Sequence, residues 1–183
     1  MKSLAQMAAV PQSEEYIGTG DQAIFNTVTK MKSIITESSK NSYVREWAKR
    51  IVANVTVNDK KGEAQAIFNF TRDNVRYTRD PAGFEYLQTP PTMLEDIRLY
   101  MDGKGDRPAG DCDDMTLLSL SLLKSIGYTV AIKVVSFQNH KRFSHVYGLA
   151  QIGYEWVPFD CVRPDQDMGW ESQGHTRVME TIV

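Results

Sequence analysis

The stretch Gly110-Asp111-Cys112-Asp113-Asp114 sets a cysteine at the point where an apolar helix begins. The run from Met115 to Ile126 is apolar with interspersed serines, and Gly127 supplies a C-terminal stop. Asp111 is placed to cap this helix, with Asp114 three residues on as the other half of a capping box. Cys112 therefore falls in the first turn. Free amide N–H groups and the positive end of the helix dipole favour a thiolate there and can hold an oxyanion. The three carboxylates around the thiol act the other way and raise its pKa. Capping accounts for Asp111 and Asp114, while Asp113 is left to face solvent or to meet a basic substrate group. The acidic run is not an EF-hand loop, since the alternating oxygen ligands, central glycine and final glutamate are missing.

The chain before the cysteine reads as helical. Ile24, Val28, Met31 and Ile35 recur at helical spacing behind Asp21. Val44, Trp47, Ala48, Ile51, Val52 and Val55 form a second stripe, and Ala64, Ile67, Phe68, Thr71 and Val75 a third. Pro81, Gly83, Pro90 and Pro91 make the next segment irregular, and Thr92-Met93-Leu94-Glu95 reads as a capping box for a short helix reaching Met101. Residues 102–110 form a glycine-containing loop that lacks the Gly-Lys-Ser/Thr ending of a phosphate loop.

After the cysteine helix the pattern turns to strands. Tyr128 to Phe137 is β-branched and apolar, and Ser144 to Ile152 with Tyr154 to Asp160 flank Gly153 as a hairpin. A turn centred between Ile152 and Gly153 pairs His145 directly with Asp160. Directly opposed side chains share a face, with Cβ atoms about 4.5–5.5 Å apart, close enough for an imidazole–carboxylate hydrogen bond. Cys161 then points to the opposite face as a core residue, and His140 and His175 lie in polar, exposed stretches. Cys112, His145 and Asp160 are thus a candidate nucleophile, base and orienting carboxylate. Each has a plainer reading alone, as a core cysteine, a strand histidine and a turn cap.

The length of 183 residues suits one domain with a real core, and 42% hydrophobic residues fit a globular chain. A net charge of −2 without a basic run argues against nucleic acid or an anionic membrane surface as partner. No apolar run is long enough to span a bilayer. Two cysteines outside any Cys-x-x-Cys pair, with three histidines, give neither a disulfide framework nor a structural zinc site. The expected location is the cytoplasm, and no cofactor or metal is expected. Residues 1–20 read as a flexible arm, 21–161 as the domain, and 162–183 as a polar tail that wraps the domain or packs on a partner.

Three blocks, Gly110-Asp111-Cys112-Asp113-Asp114, Ser144-His145-Val146-Tyr147 and Trp156-Val157-Pro158-Phe159-Asp160, resemble those of the transglutaminase-like superfamily, papain-like Cys-His-Asp enzymes and their inactive relatives. The segment Ala66 to Tyr77 is similar to the helix that precedes this core in microbial members, so the resemblance runs from about Gly62 to Asp160. It implies an α+β fold, with the nucleophile helix packed on a small antiparallel sheet behind a helical N-terminal half. Cys112 then corresponds to the nucleophile, His145 to the base and Asp160 to the orienting carboxylate. No motif fixes the second oxyanion donor, for which Gln88 and Tyr77 are the candidates. Calcium sites of the animal transglutaminases have no counterpart here.

The resulting expectation is a cysteine-dependent acyl-transfer enzyme acting on peptide or isopeptide amide bonds of a protein or peptide substrate. Hydrolysis is favoured over glutamine cross-linking or deamidation, because water is always available as acceptor. The alternative is a structural or assembly protein, a phage virion component among them, that keeps the fold as a scaffold with virion or homo-oligomeric partners. Compact forms of this kind are similar to proteins of bacteria and tailed phages, so host cytoplasm or virion is the location if the chain is phage-encoded.

Overall fold

The computed structural model of the chain describes residues 13–14, 21–79, 86–137 and 143–183. His140, Pro81, Gly83 and most of the 1–20 arm lie outside them. Within that arm, β1 (Ser13–Glu14) pairs antiparallel with β3 (Tyr86–Leu87).

Three helices come first: α1 (Asp21–Ser38), α2 (Ser42–Ile51) and α3 (Lys60–Asn74). Asn41 caps α2 by accepting from the Tyr43 N–H, and Asp59 caps α3 through the Gly62 N–H. The apolar stripes read from sequence are the buried faces, with Met31, Ile35, Val44, Ala48, Ala64, Ile67 and Phe68 fully enclosed. After β2 (Arg76–Tyr77), α4 (Pro90–Met101) starts earlier than its predicted cap. Thr89 is the N-cap residue and Pro90 and Pro91 occupy the first turn, where a missing N–H loses no helical bond. Glu95, the expected partner of Thr92, instead accepts from Tyr43 Oη and Arg98.

The strand β4 (Ala109–Gly110) runs parallel to β2 and leads directly into α5 (Cys112–Ser125). This helix is buried almost all round, with α1, α2 and α3 on one side and the sheet on the other. Such burial explains why its apolar residues do not fall in a single stripe.

The sheet is antiparallel, in the order β7 (Glu155–Phe159), β6 (His145–Ile152), β5 (Val130–Phe137), β8 (His175–Ile182). Val130, Ile132, Val134, Val146, Ala150 and Phe159 turn inward to the main core. Gly148 sits where α5 comes closest, since a Cβ there would lie 2.5 Å from Leu120 Cδ2. The 162–183 segment expected as a tail is part of this sheet: its second half is β8, paired along β5.

The hairpin register differs from the one read from sequence. Leu149 pairs with Pro158 and Ile152 with Glu155, leaving Gly153 and Tyr154 as the two-residue turn. Gly153 has φ 65°, the left-handed conformation such a turn requires and glycine adopts at least cost. His145 and Asp160 are therefore offset by two residues from direct opposition. An even shift keeps both side chains on one face.

Candidate functional site

The first turn of α5 is built as its sequence predicts. Asp111 Oδ1 accepts from the N–H groups of Asp113 and Asp114, at 2.9 and 3.3 Å, and Asp114 Oδ2 accepts from the Asp111 N–H at 3.3 Å. Asp114 has a further role that the capping motif does not reveal. Its Oδ1 accepts from the Gln88 N–H at 2.7 Å, which ties the chain before α4 to the start of α5.

Cys112 occupies the first helical position, partly exposed. Its thiol contacts Asp113 Oδ1 at 3.6 Å and takes a backbone hydrogen bond from Val146, the residue after His145. Burial pushes the thiol well above its ordinary pKa, and the charges of Asp113 and Asp111 push it further, while the Val146 contact acts in the opposite sense. Asp113 is thus turned inward to the thiol, not outward to solvent. Asp111, Cys112 and Asp113 have ligand atoms within 4.8 Å of one another, the spacing a cation would need, yet one Asp111 oxygen already serves two amide groups.

His145 opens β6, and its Nε2 lies 2.8 Å from Asp160 Oδ2. The diagonal offset is bridged by the length of the two side chains. Asp160 is buried, and its Oδ1 also accepts from the Val162 N–H at 3.4 Å. With Nε2 engaged by the carboxylate, Nδ1 is the ring nitrogen left for another partner.

Tyr77 and Gln88 fare differently. Pairing of β2 with β4 sets Tyr77 opposite Gly110, two residues from the cysteine. Burial raises the Tyr77 phenol pKa, an Arg79 hydrogen bond opposes that rise, and the neighbouring Cys112 and Asp111 groups add to it. Gln88 instead directs Nε2 to the Ala109 carbonyl, at 3.2 Å.

The His145 ring lies in an aromatic row. Phe137 stacks on it at 6.3 Å and Tyr147 lies 5.6 Å away, while His175 contacts Phe137 and Tyr147. His175 is packed here, with its Nε2 3.1 Å from Ser172 Oγ, and not in the exposed setting its sequence suggested. The Tyr147 hydroxyl donates to Glu171, which also accepts from Lys133 at 2.7 Å. Lys133 reaches Glu180 as well, at 3.2 Å. Burial alone would raise the Glu171 carboxyl, but the Lys133 and Tyr147 hydrogen bonds hold it below its ordinary value. Sequence reading missed this network, whose only signal was the alternation that puts Tyr147 on the face of His145. Cys161 is buried in the main core, as its position next to Asp160 predicts.

Fold and geometry together define an α+β protein in which a cysteine opens a buried helix and a histidine–carboxylate pair stands on an antiparallel sheet. One solved structure agrees at the level of fold, and two others show a weaker likeness. A candidate protease from Parabacteroides distasonis superposes with a TM-score of 0.56 and 10% identity, over 73% of this chain and 25% of its own. A candidate cysteine protease from Cytophaga hutchinsonii has a TM-score of 0.46 and 13% identity, over 92% and 60%. Legionella pneumophila LapG has 0.42 and 14%, over 79% and 86%. The first carries the fold comparison, and this chain spans about a quarter of that protein's length. No family model matches the chain, and no curated protein does. Among the described residues no helix is long and apolar enough to cross a membrane.

Proposed function

We propose that the protein is a cysteine-dependent acyl-transfer enzyme, of the transglutaminase-like kind its sequence resembles, that cleaves amide bonds of peptides or proteins. The observation that carries this reading is the 2.8 Å contact between His145 Nε2 and a buried Asp160, next in the chain to the Val146 backbone that touches the Cys112 thiol. A histidine held this way presents one defined nitrogen to a thiol, which is what an activated nucleophile needs.

In this mechanism Cys112 Sγ attacks the amide carbonyl carbon as His145 Nδ1 takes the thiol proton. Asp160 keeps the proton on Nε2 and stabilises the imidazolium that forms. The raised thiol pKa favours proton transfer during attack over a standing thiolate–imidazolium pair. Charge gathering on the carbonyl oxygen is met by the Cys112 N–H, since those of Asp113 and Asp114 are engaged by Asp111, and by the Tyr77 hydroxyl, since the Gln88 amide nitrogen donates to Ala109. Collapse breaks the C–N bond, the imidazolium gives its proton to the leaving amine, and a thioester remains on Cys112. Water then attacks the thioester with His145 as base, releasing the acid and restoring the thiol. A primary amine in place of water would give transamidation.

A peptide library incubated with and without a primary amine, and read by mass spectrometry, tests the proposal. Cleavage dependent on Cys112 supports hydrolysis, and a gain of amine mass on glutamine supports transfer. The scaffold reading replaces both if no product forms and the Cys112→Ala protein still supports every biological role, particle assembly included.

A further inference from the structure

A cavity of ≈ 210 Å³ lies outside the triad, between the outer face of α4 and the chain that runs into the cysteine. Asp96 and Leu99, one turn apart on α4, form one wall, and 105–109 with Gln88 form the rest. Ala109 in that wall stands three residues before Cys112, and Gln88 is held to the first turn of α5 by Asp114. The cavity is therefore fixed to the same two supports that position the thiol.

Its chemistry is that of a receptor for a cation on an apolar stem. Among the described residues, Asp96 and Asp106 make no hydrogen bond or ion pair. Arg107, the one basic residue of the lining, directs its guanidinium to the Arg72 and Val75 carbonyls at the end of α3. The lining thus carries one more carboxylate than it has cations. The Gln88 amide nitrogen is spent on Ala109, leaving its oxygen as an acceptor, and Leu99 offers an apolar flank for methylene groups. Burial raises the Asp96 carboxyl, with the Glu95 charge adding to it, so an arriving cation would offset a desolvation that no present partner relieves.

We propose that this cavity is a subsite for an alkylammonium group, the side chain of a substrate lysine. The role as a subsite rests on the acyl-transfer reading above, whereas the binding itself does not.

Binding is measured on the full chain carrying Cys112→Ala, which removes turnover, by NMR titration with Nα-acetyl-lysine methylamide, its norleucine counterpart and butylamine. The lysine probe is expected to shift the Gln88 and Ala109 amides, and the neutral norleucine probe to leave them in place. Asp96→Asn, isosteric on a partly exposed helix face, is expected to weaken the lysine probe about tenfold or more. Butylamine, which carries the alkylammonium group alone, is expected to bind more weakly than the lysine probe and with the same Asp96 dependence. Equal binding of lysine and norleucine probes, unchanged lysine binding in Asp96→Asn, or no binding of any probe overturns the proposal. Turnover measured in parallel on the Cys112 protein separates the failures. Absent turnover with Asp96-dependent binding removes the enzyme and leaves the site, and turnover without such binding removes the site alone.

Discussion

The two faces of the four-stranded sheet follow different rules. Toward α5, Val130, Ile132, Val134, Val146, Ala150 and Phe159 are enclosed by apolar neighbours, and Gly148 lets Leu120 approach. The other face carries His145, Lys133 and Tyr147 among a smaller apolar group of Ala131, Val135 and Leu149. Its polar groups are paired: His145 with Asp160, Tyr147 and Lys133 with Glu171. Buried polar groups are tolerable when each finds a partner, so this second face can hold ionisable chemistry at modest cost in stability. One strand pattern therefore supplies a packing surface and a chemical surface at once, because successive residues point opposite ways.

That contrast can be broken by substitution. The largest effect is expected from Cys112→Ala, which should lower amide turnover by about 10⁴-fold or more while thermal melting stays close to wild type. Asp160→Asn should lower turnover by about a hundredfold, because the histidine loses the charge that stabilises its protonated form but keeps a group able to orient it. If Asp160→Asn retained full turnover across pH, the chemical face would have no chemical function. On the packing face, Gly148→Ala places a methyl group against Leu120 and should cost about 1–3 kcal/mol in denaturant unfolding, with the His145–Asp160 geometry unchanged. A smaller and pH-dependent effect is expected from Tyr147→Phe, which removes one of the hydrogen bonds that lower the Glu171 pKa. A depressed carboxyl contributes stability above its unfolded value of about 4.3 and loses it as pH falls through its folded value. The wild type should therefore lose more stability than Tyr147→Phe on going from pH 6 to below pH 4, and parallel pH profiles would show that Glu171 gains nothing from the tyrosine.

Much of the site was legible because it rests on local rules. A capping box and the apolar run behind it placed Cys112 at a helix start without any tertiary information. Strand alternation predicted the shared face of His145 and Asp160, and this survived a hairpin register wrong by two residues because parity alone decides the face. The register failed at the turn, where Gly153-Tyr154 takes the two-residue loop and the sequence reading had centred it one position earlier. The start of α4 was misread for a similar reason: Thr92 and Glu95 matched a capping motif, but two prolines favoured the first helical turn. Long-range partnerships left weaker traces. Nothing near Glu171 announces that its loop returns to Tyr147 and Lys133, and β8 is polar enough on its exposed side to pass for a tail.

The central claim, that Cys112 is a nucleophile served by His145, is tested most directly by brief iodoacetamide labelling across pH, with peptide mapping of both cysteines. Burial and the neighbouring aspartates push the Cys112 thiol up, so its reactivity near neutral pH must come from the histidine. The account predicts label on Cys112, a protected Cys161, and a marked loss of neutral-pH labelling in His145→Ala that disappears at high pH. Preferential labelling of Cys161 in the folded protein, or identical Cys112 rates with and without His145 at every pH, would contradict it.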